Sequence, residues 1–136
     1  MGEARRLKPV AWVGSSKAEL KRFPDDVQDE IGHALLQAQL GGKHASAKPL
    51  KGFGGGGVLE IVENVDGNAC RAVYTVKFAD AVYVLHAFQK KSKSGINTPP
   101  NTIQLIKERL KAAQEFSHER NKEQERQAKQ DENSSR

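Results

Sequence analysis

Three lysines, Lys90, Lys91 and Lys93, crowd into four positions directly after the almost wholly apolar run Ala81 to Phe88. A covered strand ending in ammonium groups holds them in place better than a loop would, and fixed charge is what a site requires. Just upstream, Cys70, Ala72, Tyr74, Val76 and Phe78 alternate with Arg71, Val73, Thr75 and Lys77, the period of a half-buried strand. With a reversal at Ala79 and Asp80, antiparallel pairing sets Arg71 beside Phe88 and Lys90. Lys51 precedes the strand that pairs with the Arg71 strand, so three segments bring cations to one concave face.

Such a face suits a phosphate-bearing or otherwise anionic ligand. Cutting RNA with its own 2′-hydroxyl needs three things: a group that takes the hydroxyl proton, a charge that offsets the phosphorane, and an acid for the leaving 5′-oxygen. Arginine fits the second task because its fork is always charged. Lysine serves the others where neighbouring cations lower its pKa. A plainer reading stands beside this one, in which the lysines form a solvated strand end that discourages edge pairing.

Other candidates weigh less. His86 lies mid-strand in an apolar run, and a satisfied core histidine is expected there rather than a catalyst. His33, His44 and His118 have no second ligand at metal spacing, so neither a metal site nor a cofactor is expected. Gly54 to Gly57 lacks the lysine and following helix of a phosphate loop and reads as a hinge or bulge before a strand. Tyr74 belongs to the core, Tyr83 reads either way, and Phe88 can pack in the core or stack on a base.

The elements that must carry these residues follow from pattern. Val10 to Val13 is a short edge or second-rank strand. Ser16 and Glu19 have capping-box spacing, opening a short helix that presents Leu20 and Phe23 to the core. Pro24 ends it and serves as first residue of the next helix, where Val27, Ile31, Ala34, Leu35 and Ala38 form one stripe closed by Gly41 and Gly42. Lys43 to Phe53 reads as a basic loop, Val58 to Val62 as a strand, and Asn64 to Asn68 as a hairpin turn. Thr98 and Pro99 begin a last helix, with Ile103, Ile106, Leu110 and Ala113 at helical spacing. Of residues 117–136 only Ala128 is apolar, so this tail is expected to fray or stay disordered. The expected fold class is α+β: a small antiparallel sheet packed against an amino-terminal helical hairpin, with a carboxy-terminal helix. Residues 1–9 form a loose basic end, 10–116 the domain and 117–136 the tail.

Charge is unevenly spread. The net charge is +5, and the stretch from Gly41 to Pro100 holds eight bases against four acids, whereas Pro24 to Leu40 holds four acids and no base. The positive field therefore belongs to the sheet half of the body, fitting a phosphate-rich or an acidic protein partner. A lone cysteine, Cys70, excludes an internal disulfide, and with no signal-peptide core and no apolar run of membrane length the expected location is cytoplasmic.

With these residues in view, the chain resembles the RelE/ParE superfamily of bacterial toxins, in particular its HigB-like, phage-derived branch. The resemblance rests on Lys48-Pro49-Leu50-Lys51-Gly52, Val58-Leu59-Glu60-Ile61-Val62-Glu63, Arg71-Ala72-Val73-Tyr74, the segment from Tyr83 to Ser92, and Thr98-Pro99. It covers about residues 10–116. It implies the toxin of a type II toxin–antitoxin system, a ribosome-dependent mRNA endonuclease neutralised by a helix-turn-helix antitoxin, with ribosome and mRNA as its other partners and no membrane. The matching site positions are Lys51, Arg71, Lys90 and Lys91. Around them Lys43, Lys48, Lys77, Phe88 and Lys93 are the expected RNA contacts. Two other functions fit the same resemblance: a ParE-like inhibitor that acts on DNA gyrase by protein contact, and an inactive phage-derived nucleic-acid binder.

Overall fold

The computed structural model describes residues 7–54, 57–91 and 99–134, the side chain of Lys91 excepted. Along the chain run Val10–Trp12 (β1), Ser16–Lys21 (α1), Asp25–Gln39 (α2), Lys48–Pro49 (β2), Val58–Val65 (β3), Asn68–Thr75 (β4), Val82–Lys91 (β5) and Pro100–Ser134 (α3). The strands make one five-stranded sheet in the order β1-β5-β4-β3-β2. Only the β1–β5 pairing is parallel. The fold is α+β, as the pattern indicated. The sheet is mixed rather than purely antiparallel, because β1 joins β5 after α1, α2 and three further strands have intervened.

Turn chemistry sets the register on which the site depends. Asp66 and Gly67 have φ of 49° and 80°, the paired left-handed residues of a tight hairpin, and they lock Val65 against Asn68. From that register Arg71 falls opposite Val62 of β3, while the separate β4–β5 ladder, joined through residues 76–81, sets it opposite Phe88. The β4–β5 ladder slips between Val73 and Tyr74, so that Val73 pairs with His86 while Tyr74 pairs with Val84. A bulge of this kind leaves one β5 residue, Leu85, without a partner and brings His86 onto the face of Arg71 and Phe88.

Both faces of the sheet are covered. The α2 stripe of Val27, Ile31, Ala34, Leu35 and Ala38 packs with Leu20 and Phe23 on Ile61, Ala72, Tyr74 and Val84. On the opposite face Ile106 and Ala113 of α3 pack on Val58, Val73, Tyr83 and Leu85. The strand through Arg71 is consequently buried on both sides from Ala69 to Thr75, not half-buried as its alternation implied. Alternation reports residue polarity, and the covering helix lies far downstream in sequence.

Local details differ from the sequence pattern in four places. Ser16 does not cap α1: its hydroxyl donates to the Val84 carbonyl at 3.0 Å, and Glu19 is engaged elsewhere. Pro24 stands at the N-cap of α2, one position before the helix. The basic loop contains a two-residue strand, β2, paired with Leu59 and Glu60. Finally, the charged tail expected to fray continues α3 to Ser134, giving a helix about 50 Å long. Within that extension only Ser117 is buried, and pairs such as Gln127 with Asp131 and Arg126 with Glu123 line its surface.

Ser117 and Arg120 tie α3 to the turn before β5. Asp80 accepts from the Ser117 hydroxyl at 2.6 Å and the Tyr83 hydroxyl at 2.7 Å, with Arg120 at 3.6 Å. Burial works to raise the Asp80 carboxyl, but these donors outweigh it and hold the group below the usual range. No helix among the described residues is long and apolar enough to cross a membrane.

Candidate active site

Arg71 is 7% exposed, and its guanidinium meets the Glu60 carboxylate at 3.3 Å. The two are diagonal neighbours, since Glu60 is paired in register with Val73, two positions along β4. A buried guanidinium needs such a partner, and a carboxylate on one side of the fork fixes its orientation. Lys48 is the register partner of Glu60 on the outermost strand. Phe88 is half-buried beside Arg71, and Lys90, opposite Ala69, follows on the same face. The sequence therefore placed Arg71, Phe88 and Lys90 together correctly, whereas the acid that orients the arginine was not singled out.

The remaining candidates distribute as follows. Lys51 is exposed in the turn after β2. Lys91 pairs with Asn68 at the end of β5, and its side chain lies outside the described residues, as does all of Lys93. Lys43 is exposed next to His44, whose ring is bonded to Glu30 of α2 at 2.7 Å, so it belongs with that helix. Lys77 stands past the far end of β4, six residues or about 20 Å from Arg71, and packs over Gly57 instead. The structure does not bring Lys43 and Lys77 to the Arg71 group.

A second ionic group borders the first. Beyond Val84, no strand among the described residues lies on the outer side of β5, because β1 pairs only with Val82 to Val84. Side chains take over the role of a strand: Arg109 donates to the Leu85 carbonyl at 2.8 Å and the Ala87 amide donates to Glu19 at 3.2 Å. Glu19 also accepts from both terminal nitrogens of Arg109, at 2.9 and 3.2 Å, and from the Ser15 hydroxyl at 3.0 Å. His86 Nδ1 approaches the same carboxylate at 2.9 Å. Burial acts to raise the Glu19 pKa, but Arg109, His86 and the Ala87 amide prevail and bring it down to about 2. Glu19 is thus an anion at every physiological pH.

The His86 ring stacks on Phe88 with centroids 4.8 Å apart. Glu19, Arg22, Phe23, His86, Ala87, Phe88 and Gln89 line a cleft of about 480 Å³ at the open edge of β5. Phe88 is common to the cleft and to the Arg71 group. Among the described residues no set of three His, Cys, Asp or Glu side chains is disposed to hold a metal ion.

His86 is buried and satisfied on one nitrogen, as a core histidine would be, yet it also forms part of the cleft wall. In the sequence Glu19 has the position of a capping acid, and neither it nor Arg109 stands out as a site residue. A signal for Arg109 did exist: it falls three residues after Ile106 and four before Ala113, on the apolar stripe of α3, where a cation needs a buried acid.

A family model described as Phage derived protein Gp49-like (DUF891) matches residues 18–111. The chain belongs to this family. The Gp49-like family is part of the RelE/HigB-like toxin superfamily. Its matched span runs from α1 to the middle of α3 and includes Glu19, Glu60, Arg71, His86, Lys90 and Arg109. No curated protein and no solved structure matches the chain.

Proposed function

We propose that this Gp49-like protein is the toxin of a type II toxin–antitoxin system and acts as a ribosome-dependent mRNA endonuclease of the HigB-like branch. The observation that carries the reading is the row Glu60, Arg71, Phe88 and Lys90 across three adjacent strands: an oriented guanidinium, an aromatic ring and an ammonium group on one sheet face. Arg71 offsets the charge that builds on the phosphorane, for which a guanidinium held by a carboxylate is preorganised. The ammonium of Lys90 or Lys91 protonates the leaving 5′-oxygen. Phe88 supports a base next to the cut, and Lys48 and Lys51 extend the positive rim along the RNA backbone. The partner that silences it is a helix-turn-helix antitoxin. Incubating the purified protein with bacterial ribosomes carrying a defined message, beside a gyrase supercoiling assay, tests the reading. Message cut only on ribosomes, with supercoiling untouched, is the expected outcome; inhibited supercoiling with intact message would replace it by the gyrase reading.

A further inference from the structure

We propose that His86, oriented by Glu19, is the general base that takes the proton from the attacking 2′-hydroxyl. The inference rests on the endonuclease reading and names a residue of that same site.

The geometry that carries it begins with the ring. His86 Nδ1 lies 2.9 Å from Glu19 Oε1, and Arg109 approaches that nitrogen at 3.2 Å. One arginine nitrogen, Nη1, donates to both the Leu85 carbonyl, at 2.8 Å, and Glu19 Oε1, at 2.9 Å, which uses both of its protons. Nδ1 is therefore left to donate to Glu19. A carboxylate that accepts from Nδ1 fixes the tautomer and leaves the lone pair on Nε2. His86 makes no other side-chain hydrogen bond among the described residues and lines the cleft, so Nε2 is the nitrogen available to a ligand there.

Placement agrees with the task. Val73 pairs with His86 and Arg71 with Phe88, so Arg71 and His86 are diagonal neighbours across β4 and β5. Diagonal positions of this kind lie about 7–8 Å apart, and somewhat less at Cβ. That separation admits a single phosphodiester with its ribose. The stacked Phe88 and the double grip of Arg109 on Glu19 restrict the ring and its carboxylate to one arrangement.

The step balances without a co-reactant. Nε2 takes the 2′-hydroxyl proton as the 2′-oxygen bonds to phosphorus. The bond from phosphorus to the 5′-oxygen breaks, its electron pair stays on that oxygen, and the lysine ammonium supplies the proton. The products are a 2′,3′-cyclic phosphate and a 5′-hydroxyl. Glu19 is a positioning residue here, and His86 the catalytic one.

The test is single-turnover cleavage of a defined message on bacterial ribosomes by the full chain and by His86→Asn, His86→Ala and Glu19→Gln. Asparagine can still donate to Glu19 but has no basic nitrogen, so His86→Asn should fold, bind ribosomes like the wild type, and cleave about 10²- to 10⁴-fold more slowly. Free imidazole should restore part of the rate to His86→Ala and none to Glu19→Gln, a response that a purely structural role would not give. Wild-type cleavage by a folded His86→Asn protein would overturn the inference and leave the endonuclease reading intact. No cleavage by the wild type would overturn both.

Discussion

Glu19 and His86 are separated by 67 positions in the sequence, yet their side chains meet at 2.9 Å on the open edge of β5. The contact exists because β1 is too short to cover β5. Where the parallel partner stops at Val84, a carboxylate from α1 and a guanidinium from α3 satisfy the edge in its place. One ion pair thereby joins three elements and sets the position of a ring that lines a cleft.

Stability should fall steeply in acid through this carboxylate. The folded pKa of Glu19 is about 2 against an ordinary 4.5, so its stabilisation is complete above about pH 4.5 and is lost as the pH drops through 2. A difference of this size corresponds to about 3 kcal/mol in full, of which about 2 kcal/mol is lost between pH 7 and pH 3. Urea unfolding at pH 7 and pH 3 measures it. Glu19→Gln should lose most of that acid dependence, and an unchanged slope with pH would show that Glu19 is not its source.

Arg109→Ala should cost about 1.5–3 kcal/mol, because it takes the guanidinium from a largely buried carboxylate that keeps Ser15, His86 and Ala87 as partners, and it leaves the Leu85 carbonyl without its side-chain donor. Lys111→Ala, two residues along on the exposed surface, should change stability by less than about 0.5 kcal/mol. Chemical denaturation of the two variants side by side decides whether Arg109 belongs to the interior or merely to the helix surface.

Both tyrosines should resist ionisation. Burial alone pushes Tyr74 up to about 12; Tyr83 reaches about 12 through burial and the neighbouring Asp80 carboxylate. Each contributes stability that is complete below the ordinary value near pH 10 and declines as the pH rises toward 12. Absorbance titration should show almost no tyrosinate at pH 10.5 in the folded chain and a full signal in urea. A native titration centred on pH 10 would contradict the packing of both rings.

Much of this architecture was legible. The α2 stripe is buried residue for residue, because an amphipathic helix states its face in its own spacing. The Asp66-Gly67 turn states the β3–β4 register in its own residues, and the reversal through Ala79 and Asp80 is what lets β5 return beside Arg71 with Phe88. The Glu19 group is not legible in the sequence because its members come from α1, β5 and α3, and no local pattern links them. The two-residue β2 is too short to show a period, and the burial of β4 on both faces depends on a helix that begins 25 residues beyond its end.

The outer part of α3 should be dispensable for folding. Ending the chain after Lys122 keeps the Ser117 and Arg120 contacts with Asp80, and every described residue that it removes is exposed. The unfolding free energy should stay within about 0.5 kcal/mol of the full chain. A larger loss would mean that the extension packs on the body.

Primer extension on a defined message carried by bacterial ribosomes, comparing the wild type with Arg71→Lys, tests the functional reading most directly. Lysine keeps the charge beside Glu60 but lacks the fork that meets a phosphorane. The wild type should produce new stops inside codons that require ribosomes, and a folded Arg71→Lys should reduce their rate about 10²-fold. No stops from the wild type, or equal stops from both proteins, would contradict the assignment of this sheet face as an RNA-cleaving site.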